Sequence, residues 1–113
     1  MSDLKDLKLK IRQFQQERDW EQYHNGKDVA LSLVLEAAEV LELFQWEKTN
    51  ELPKEKKEDL ADELADVLYW VITLSDKYGI DLKQAALKKL EKTALKYPIE
   101  KSKGKSTKYT KLK

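Results

Sequence analysis

Two stretches of the chain pair acidic side chains at helical spacing inside apolar surroundings. Glu36 and Glu39 lie in LVLEAAEVLELFQW (33–46), and Glu63 and Asp66 lie in EDLADELADVLYWVITL (58–74). Residues three apart on a helix are neighbours on one face, about 5–6 Å between Cβ atoms. Each segment thus presents two carboxylates side by side. Should the two segments pack with these faces opposed, four carboxylates meet. Unneutralised, they would repel one another and lose hydration, which destabilises the fold or raises their pKa values. A hard divalent cation removes that conflict. Mg²⁺ takes oxygen ligands, keeps some of its water and is commonly completed by phosphate oxygens. The E-x-x-E…E-x-x-D pattern therefore reads as a Mg²⁺ site awaiting a phosphorylated ligand. Ala37, Ala38, Ala61 and Ala65 flank the acids and suit close helix approach, and few lysines stand nearby in sequence. Glu42, Glu47, Glu58 and Asp59 read instead as solvated surface charges.

The elements that must position these acids are helices. Leu4, Leu7, Ile11 and Phe14 recur at three-four spacing and predict a first helix from about Asp3 to Tyr23. His24-Asn25-Gly26 breaks it, since Asn-Gly favours positive φ. A second helix is expected from about Asp28 to Lys48, with the TNELP connection (49–53) after it. Pro53 suits the first turn of a third helix that runs to Tyr78, with Gly79 closing it. Asp81 and Gln84 make a capping-box-like start for a fourth helix, which ends before Pro98. The expected fold is all-α, a four-helix domain over residues 1–98 followed by a flexible basic tail over 99–113. Leu64–Leu74 is apolar on more sides than a four-helix monomer covers, which calls for a second subunit.

Composition narrows the class. The chain has 113 residues, enough for one small domain that buries its surface incompletely alone. Charged residues make up 38% of it, yet the formal net charge is +1, so the basic excess of a nucleic-acid binder is missing. With no cysteine there is neither a disulfide nor a thiolate zinc site. No signal-peptide pattern opens the chain, and the longest nearly uncharged run, Val67–Ser75, is too short to span a bilayer. The expectation is a cytoplasmic protein with neither a nucleic-acid nor a membrane partner.

The three tryptophans are Trp20, Trp46 and Trp70. Trp20 stands among Arg18, Asp19, Glu21 and Gln22, a polar setting that fits stacking on a base better than a place in a core. A triphosphate is strongly anionic, so an acidic pocket holds it only through cations. Lys89, Lys96 and Lys108 are candidates to hold the phosphates of such a ligand.

Four stretches together, ERDWEQYH (17–24), LELFQW (41–46), DELADVLYW (62–70) and the tail Tyr97-Pro98, Ser102, Gly104 and Lys108–Thr110, resemble the MazG-like all-α nucleoside triphosphate pyrophosphohydrolases, and within them the branch acting on dCTP. The likeness spans about residues 4–112. It implies that Glu36, Glu39, Glu63 and Asp66 are Mg²⁺ ligands with catalytic roles, Mn²⁺ being a substitute. It implies that Trp20, Glu21, Gln22, Tyr23 and His24 contact base and sugar, and that Trp46 lines the base pocket. It also implies hydrolysis of the α–β phosphate bond of a dNTP, such as dCTP or a 5-modified pyrimidine form, to monophosphate and pyrophosphate, in a homotetramer built as a dimer of dimers that cleanses the nucleotide pool. The chain departs from the pattern in places. Leu35 replaces the first of a doubled Glu, Ile11 stands where animal relatives carry a substrate-contacting His, and Trp70 stands for a substrate-contacting Tyr. Lys89, Thr93 and Lys96 represent a Lys-x₃-Asn-x₂-Arg motif.

Two other classes compete. A di-iron carboxylate protein needs two Glu-x-x-His pairs. Glu21-x-x-His24 supplies one, and His24 is the only histidine, so that class fails. A non-catalytic helical scaffold accounts for the helices and the tail, but not for acid pairs set in apolar runs.

Overall fold

The computed structural model describes residues 3–113, and among them the secondary structure is helical throughout, with no strand. The helices are α1 (Asp3–Glu17), α2 (Gly26–Glu42), α3 (Lys57–Lys77), α4 (Leu82–Lys96) and a single turn, α5 (Ile99–Ser102). They divide into an N-terminal unit ending at Ile80 and a C-terminal unit beginning at Asp81. In the N-terminal unit α3 is the central element, packed against α2 and α1.

The first helix is shorter than its apolar spacing suggests. It ends at Glu17, and a separate 3₁₀ turn covers Glu21–Tyr23. The terminator is Asp19, which sits in the left-handed region at φ 52°. Around it the Trp20 N–H donates to the Gln15 carbonyl at 3.0 Å and the Asp19 N–H to that of Gln16 at 3.1 Å. That is the Schellman closure, with Asp in the position usually held by glycine. Asn25, expected to break the first helix through positive φ, is instead extended (φ −76°, ψ 160°) and caps α2. Its Oδ1 accepts from the Asp28 N–H at 2.8 Å. Gly26 has a packing reason: a Cβ there would run into the Tyr78 hydroxyl.

The second helix also stops early, at Glu42 rather than Lys48. Beyond it the N–H groups of Leu43, Phe44 and Gln45 turn to carbonyls three residues back, so the chain tightens and leaves the helix. Aromatic residues at 44 and 46, followed by Thr49-Asn50, do little to propagate it. Pro53 lies outside the first turn of α3. It is extended (ψ 145°) and precedes a 3₁₀ turn, Lys54–Lys56, because proline brings no N–H to the turn it starts. Glu47, read as a solvated charge, accepts from Lys56 Nζ at 2.6 Å and ties the connection to the start of α3. Gly79 closes α3 as expected, at φ 65°.

In the C-terminal unit Asp81 caps α4, accepting from the Gln84 N–H at 3.0 Å. The following segment folds onto the end of that helix. The Tyr109 N–H donates to Tyr97 Oη at 3.1 Å, and the two rings meet edge to face.

Among the described residues the fully buried apolar side chains are Val29 and Ile72. Leu31, Val34, Leu35 and Leu41 of α2 and Leu64 and Leu68 of α3 are exposed. The alanines Ala37, Ala38, Ala61 and Ala65 are exposed as well, so they do not serve the close helix approach inside this chain that their size suggests.

Candidate active site

The α2–α3 packing brings the two acid pairs together. Each of Glu36, Glu39, Glu63 and Asp66 offers a carboxylate oxygen, and these four atoms all lie within 4.8 Å of one another. The described ion pairs, Arg12–Asp76 and Lys56–Glu47, leave all four out. Glu39 and Asp66 are exposed, whereas Glu36 and Glu63 are half-buried. The Oε2 atoms of Glu36 and Glu63 are closed off from solvent and have no hydrogen-bond partner.

Two shielded carboxylate oxygens without donors, facing two further carboxylates, cost free energy as they stand. Their titration reflects it. Glu63 is pushed up to about 7, chiefly by its contact with the Glu39 carboxyl, then by burial and by the charges of Glu39, Asp66 and Glu36. Glu36 is raised first by burial and then by Glu39 and Asp66. An all-oxygen anionic donor set with orphaned inner atoms fits a hard divalent cation. The four carboxylates are also the residues the sequence pattern singled out.

The resemblance-derived contact residues are placed in three groups. His24 and Trp70 meet edge to face at 5.5 Å, and Trp70 stacks likewise against Tyr69 at 4.9 Å. Trp20, 43% exposed, sets its ring 5.5 Å from Phe14, on which the Arg18 guanidinium lies. Glu21, Gln22 and Tyr23 form the intervening 3₁₀ turn. The Gln22 amide is occupied locally, donating to the Asp19 carbonyl and to Asp19 Oδ2 at 3.0 Å each. Trp46 is 84% exposed and makes no ring contact among the described residues, so nothing in the chain itself accounts for so large an apolar surface there. Lys89, Lys96 and Lys108 belong to the C-terminal unit and are exposed. Lys96 Nζ lies 4.7 Å from the centroid of the Tyr109 ring.

Sequence reasoning missed a polar assembly between α1 and α3. Arg12 forks onto Asp76, Nη2 to Oδ1 at 2.6 Å and Nε to Oδ2 at 3.1 Å. Gln15, buried on the face of α1 where the apolar stripe predicts a hydrophobe, donates from Nε2 to Tyr69 Oη at 3.0 Å and to Thr73 Oγ1 at 2.9 Å. An open cleft of about 360 Å³ lies beside them, lined by Arg12, Gln15, Glu21, His24, Thr73 and Asp76 among others. On α3, residues 63, 66, 70 and 73 succeed one another at three-four spacing, so the carboxylates and the cleft share one face of that helix. The available signal was a glutamine at a core position of α1 and a threonine at the matching position of α3.

Comparison with known proteins gives consistent relatives. Residues 31–112 match the profile of the MazG-like family. The chain is 37% identical over 114 residues to dCTP pyrophosphatase 1 of Mus musculus, covering 96% of this chain and 67% of the relative. It is 36% identical over 115 residues to the Homo sapiens protein of the same name, with 96% and 67% covered. Among solved structures, a pyrophosphatase from Archaeoglobus fulgidus superposes with a TM-score of 0.81 at 34% identity, covering 87% of this chain and 94% of that one.

Proposed function

The chain belongs to the MazG-like family and is a nucleoside triphosphate pyrophosphohydrolase, and we propose that it hydrolyses dCTP or a 5-modified pyrimidine dNTP to the monophosphate and pyrophosphate with Mg²⁺. The observation that carries this reading is the convergence of Glu36, Glu39, Glu63 and Asp66 within 4.8 Å. These four would hold the cation, with Mn²⁺ as a substitute. When bound, it supplies charge neutralisation for the triphosphate and polarisation of a phosphoryl oxygen. Of the four, Glu39 and Asp66 are exposed, and a carboxylate of that pair would accept a proton from an attacking water. Glu36 and Glu63, with their inner oxygens shielded, serve as the fixed part of the donor set. His24, Trp70, Trp20 and the Glu21–Tyr23 turn bind base and sugar, Trp46 covers the base, and Lys89, Lys96 and Lys108 hold the departing pyrophosphate.

The exposed leucines of α2 and α3, and Trp46, support an oligomer in which partner subunits cover them, a homotetramer built as a dimer of dimers. No helix among the described residues is long and apolar enough to cross a membrane. The role in this reading is cleansing of the cytoplasmic nucleotide pool. The test is a panel of canonical and 5-modified dNTPs with pyrophosphate release as readout, each assayed with Mg²⁺, with Mn²⁺ and with chelator. Release that is fastest with cytosine dNTPs and abolished by chelator is expected. Calorimetric titration of Mg²⁺ with and without a non-hydrolysable dNTP separates this reading from a scaffold, which would bind neither.

A further inference from the structure

The cleft beside Gln15 holds a device that the carboxylate chemistry does not use. Thr73 Oγ1 donates its single hydrogen to the Tyr69 carbonyl at 2.8 Å. Toward Gln15 it therefore acts only as an acceptor, and the group it meets at 2.9 Å must be the amide nitrogen. The second N–H of that nitrogen goes to Tyr69 Oη at 3.0 Å. Both donors are committed and the amide cannot flip without setting its oxygen against the Thr73 acceptor. Gln15 is only 5% exposed, so its rotamer is held as well. What remains is Oε1. It accepts no described hydrogen bond, it is not among the atoms sealed from solvent, and its residue lines the cleft.

A fixed, unpartnered acceptor in a cleft is a reader of a donor. Arg12 and Lys77 line the same cleft as donors, two of the Arg12 N–H groups being taken up by Asp76, and Glu21 and Asp76 line it as acceptors. The pairing edge of cytosine offers one amine donor and two acceptors, so its amine suits the open Gln15 Oε1 and its acceptors suit the N–H groups of Lys77 or those Arg12 keeps free. Uracil and thymine place a carbonyl where cytosine has its amine, and a carbonyl facing Gln15 Oε1 leaves two acceptors opposed. Glu21 and His24 line the same cleft, so the reader sits among the residues expected to contact base and sugar.

We propose that Gln15, locked by Thr73 and Tyr69, is a specificity residue of the pyrophosphohydrolase, its Oε1 accepting from the exocyclic amine of the base and selecting amine-bearing pyrimidines over their keto counterparts. The proposal rests on the nucleotide reading given above. Its test is the ratio of kcat/KM for dCTP to that for dUTP in four proteins of verified melting behaviour: wild type, Gln15→Met, Thr73→Val and Thr73→Ser. Gln15→Met keeps volume and removes the acceptor. Thr73→Val keeps shape and frees the amide to flip, while Thr73→Ser keeps the lock. The wild-type ratio is expected to favour dCTP, to drop roughly tenfold or more in Gln15→Met, to drop less in Thr73→Val and to hold in Thr73→Ser. A purely structural role for Gln15 lowers both substrates together and leaves the ratio unchanged, which overturns the proposal, as does a wild-type enzyme indifferent to the amine. If the wild type releases pyrophosphate from neither dCTP nor dUTP, the pyrimidine reading falls first and the proposal with it. Those results are distinguishable because the first two keep turnover.

Discussion

Glu39 is the carboxyl that perturbs both of its titrating neighbours. It is the first cause of the raised Glu63 and acts on Glu36 as well. Glu39→Gln keeps the shape and removes one negative charge from the cluster. Turnover should fall by orders of magnitude, since phosphoryl transfer depends on positioned charge. The metal-free variant should melt at the wild-type temperature or above it. A solvated surface acid would instead give changes within about 0.5 kcal/mol in stability, so near-normal activity at saturating Mg²⁺ would remove Glu39 from the site. The same pair of groups sets a pH dependence. Glu63 titrates at about 7 in the folded chain against an ordinary 4.5, so between those values the folded state binds more protons than the unfolded one. Stability of the metal-free protein therefore falls as pH rises through that window and levels off above it. A cation displaces the proton, so the stabilisation by Mg²⁺ grows over the same window. Melting curves with chelator and with Mg²⁺, taken from about pH 5 to pH 8, read both slopes. Glu39→Gln should flatten them, and a metal-free melting temperature that climbs toward pH 7 would contradict the assignment.

The helices are delimited by individual caps, and those caps aim the site. Asn25 begins α2, and the turn that Asp19 starts keeps Trp20 and the Glu21–Tyr23 turn off the end of α1. Asn25→Ala should cost about 0.5–2 kcal/mol of stability, the usual cost of losing an N-cap acceptor. Gly79→Ala should cost about 1–2 kcal/mol, because φ 65° is left-handed backbone that a Cβ disfavours. Chemical denaturation of the two variants checks both, and Gly79→Ala equal to wild type would mean that α3 ends differently in solution. Each change lies in an element terminus and not in the cluster, so kcat per folded molecule should stay close to wild type.

At the scale of the whole molecule, much apolar surface of the described residues is left in water. Val29 and Ile72 are fully buried, while Val34 and Leu35 are each 66% exposed and Leu41 is 69% exposed. Exposed apolar surface on this scale marks an interaction surface, in keeping with the oligomer proposed above. Sedimentation should find an oligomer at micromolar concentration, and Val34→Glu should shift it toward smaller species with loss of thermal stability. A wild-type chain that stays monomeric and stable at that concentration would rule out the covering subunits.

The four carboxylates are legible in the amino-acid sequence because helical period alone places residues three apart on one face. Gly79 and Asp81 are legible because backbone sterics and cap hydrogen bonds act over a few residues. The early end of α1 and the start of α2 are not, since Asp19 adopting a glycine conformation, and Asn25 capping a helix instead of breaking one, are choices among local alternatives that packing decides. The Gln15–Tyr69–Thr73 network and the Arg12–Asp76 pair join residues more than fifty positions apart. A sequence shows which residues share a face of one helix. Which faces then meet depends on how α1 and α2 settle on α3, and there the long-range burial of polar groups is decided by whether each finds a partner across the interface.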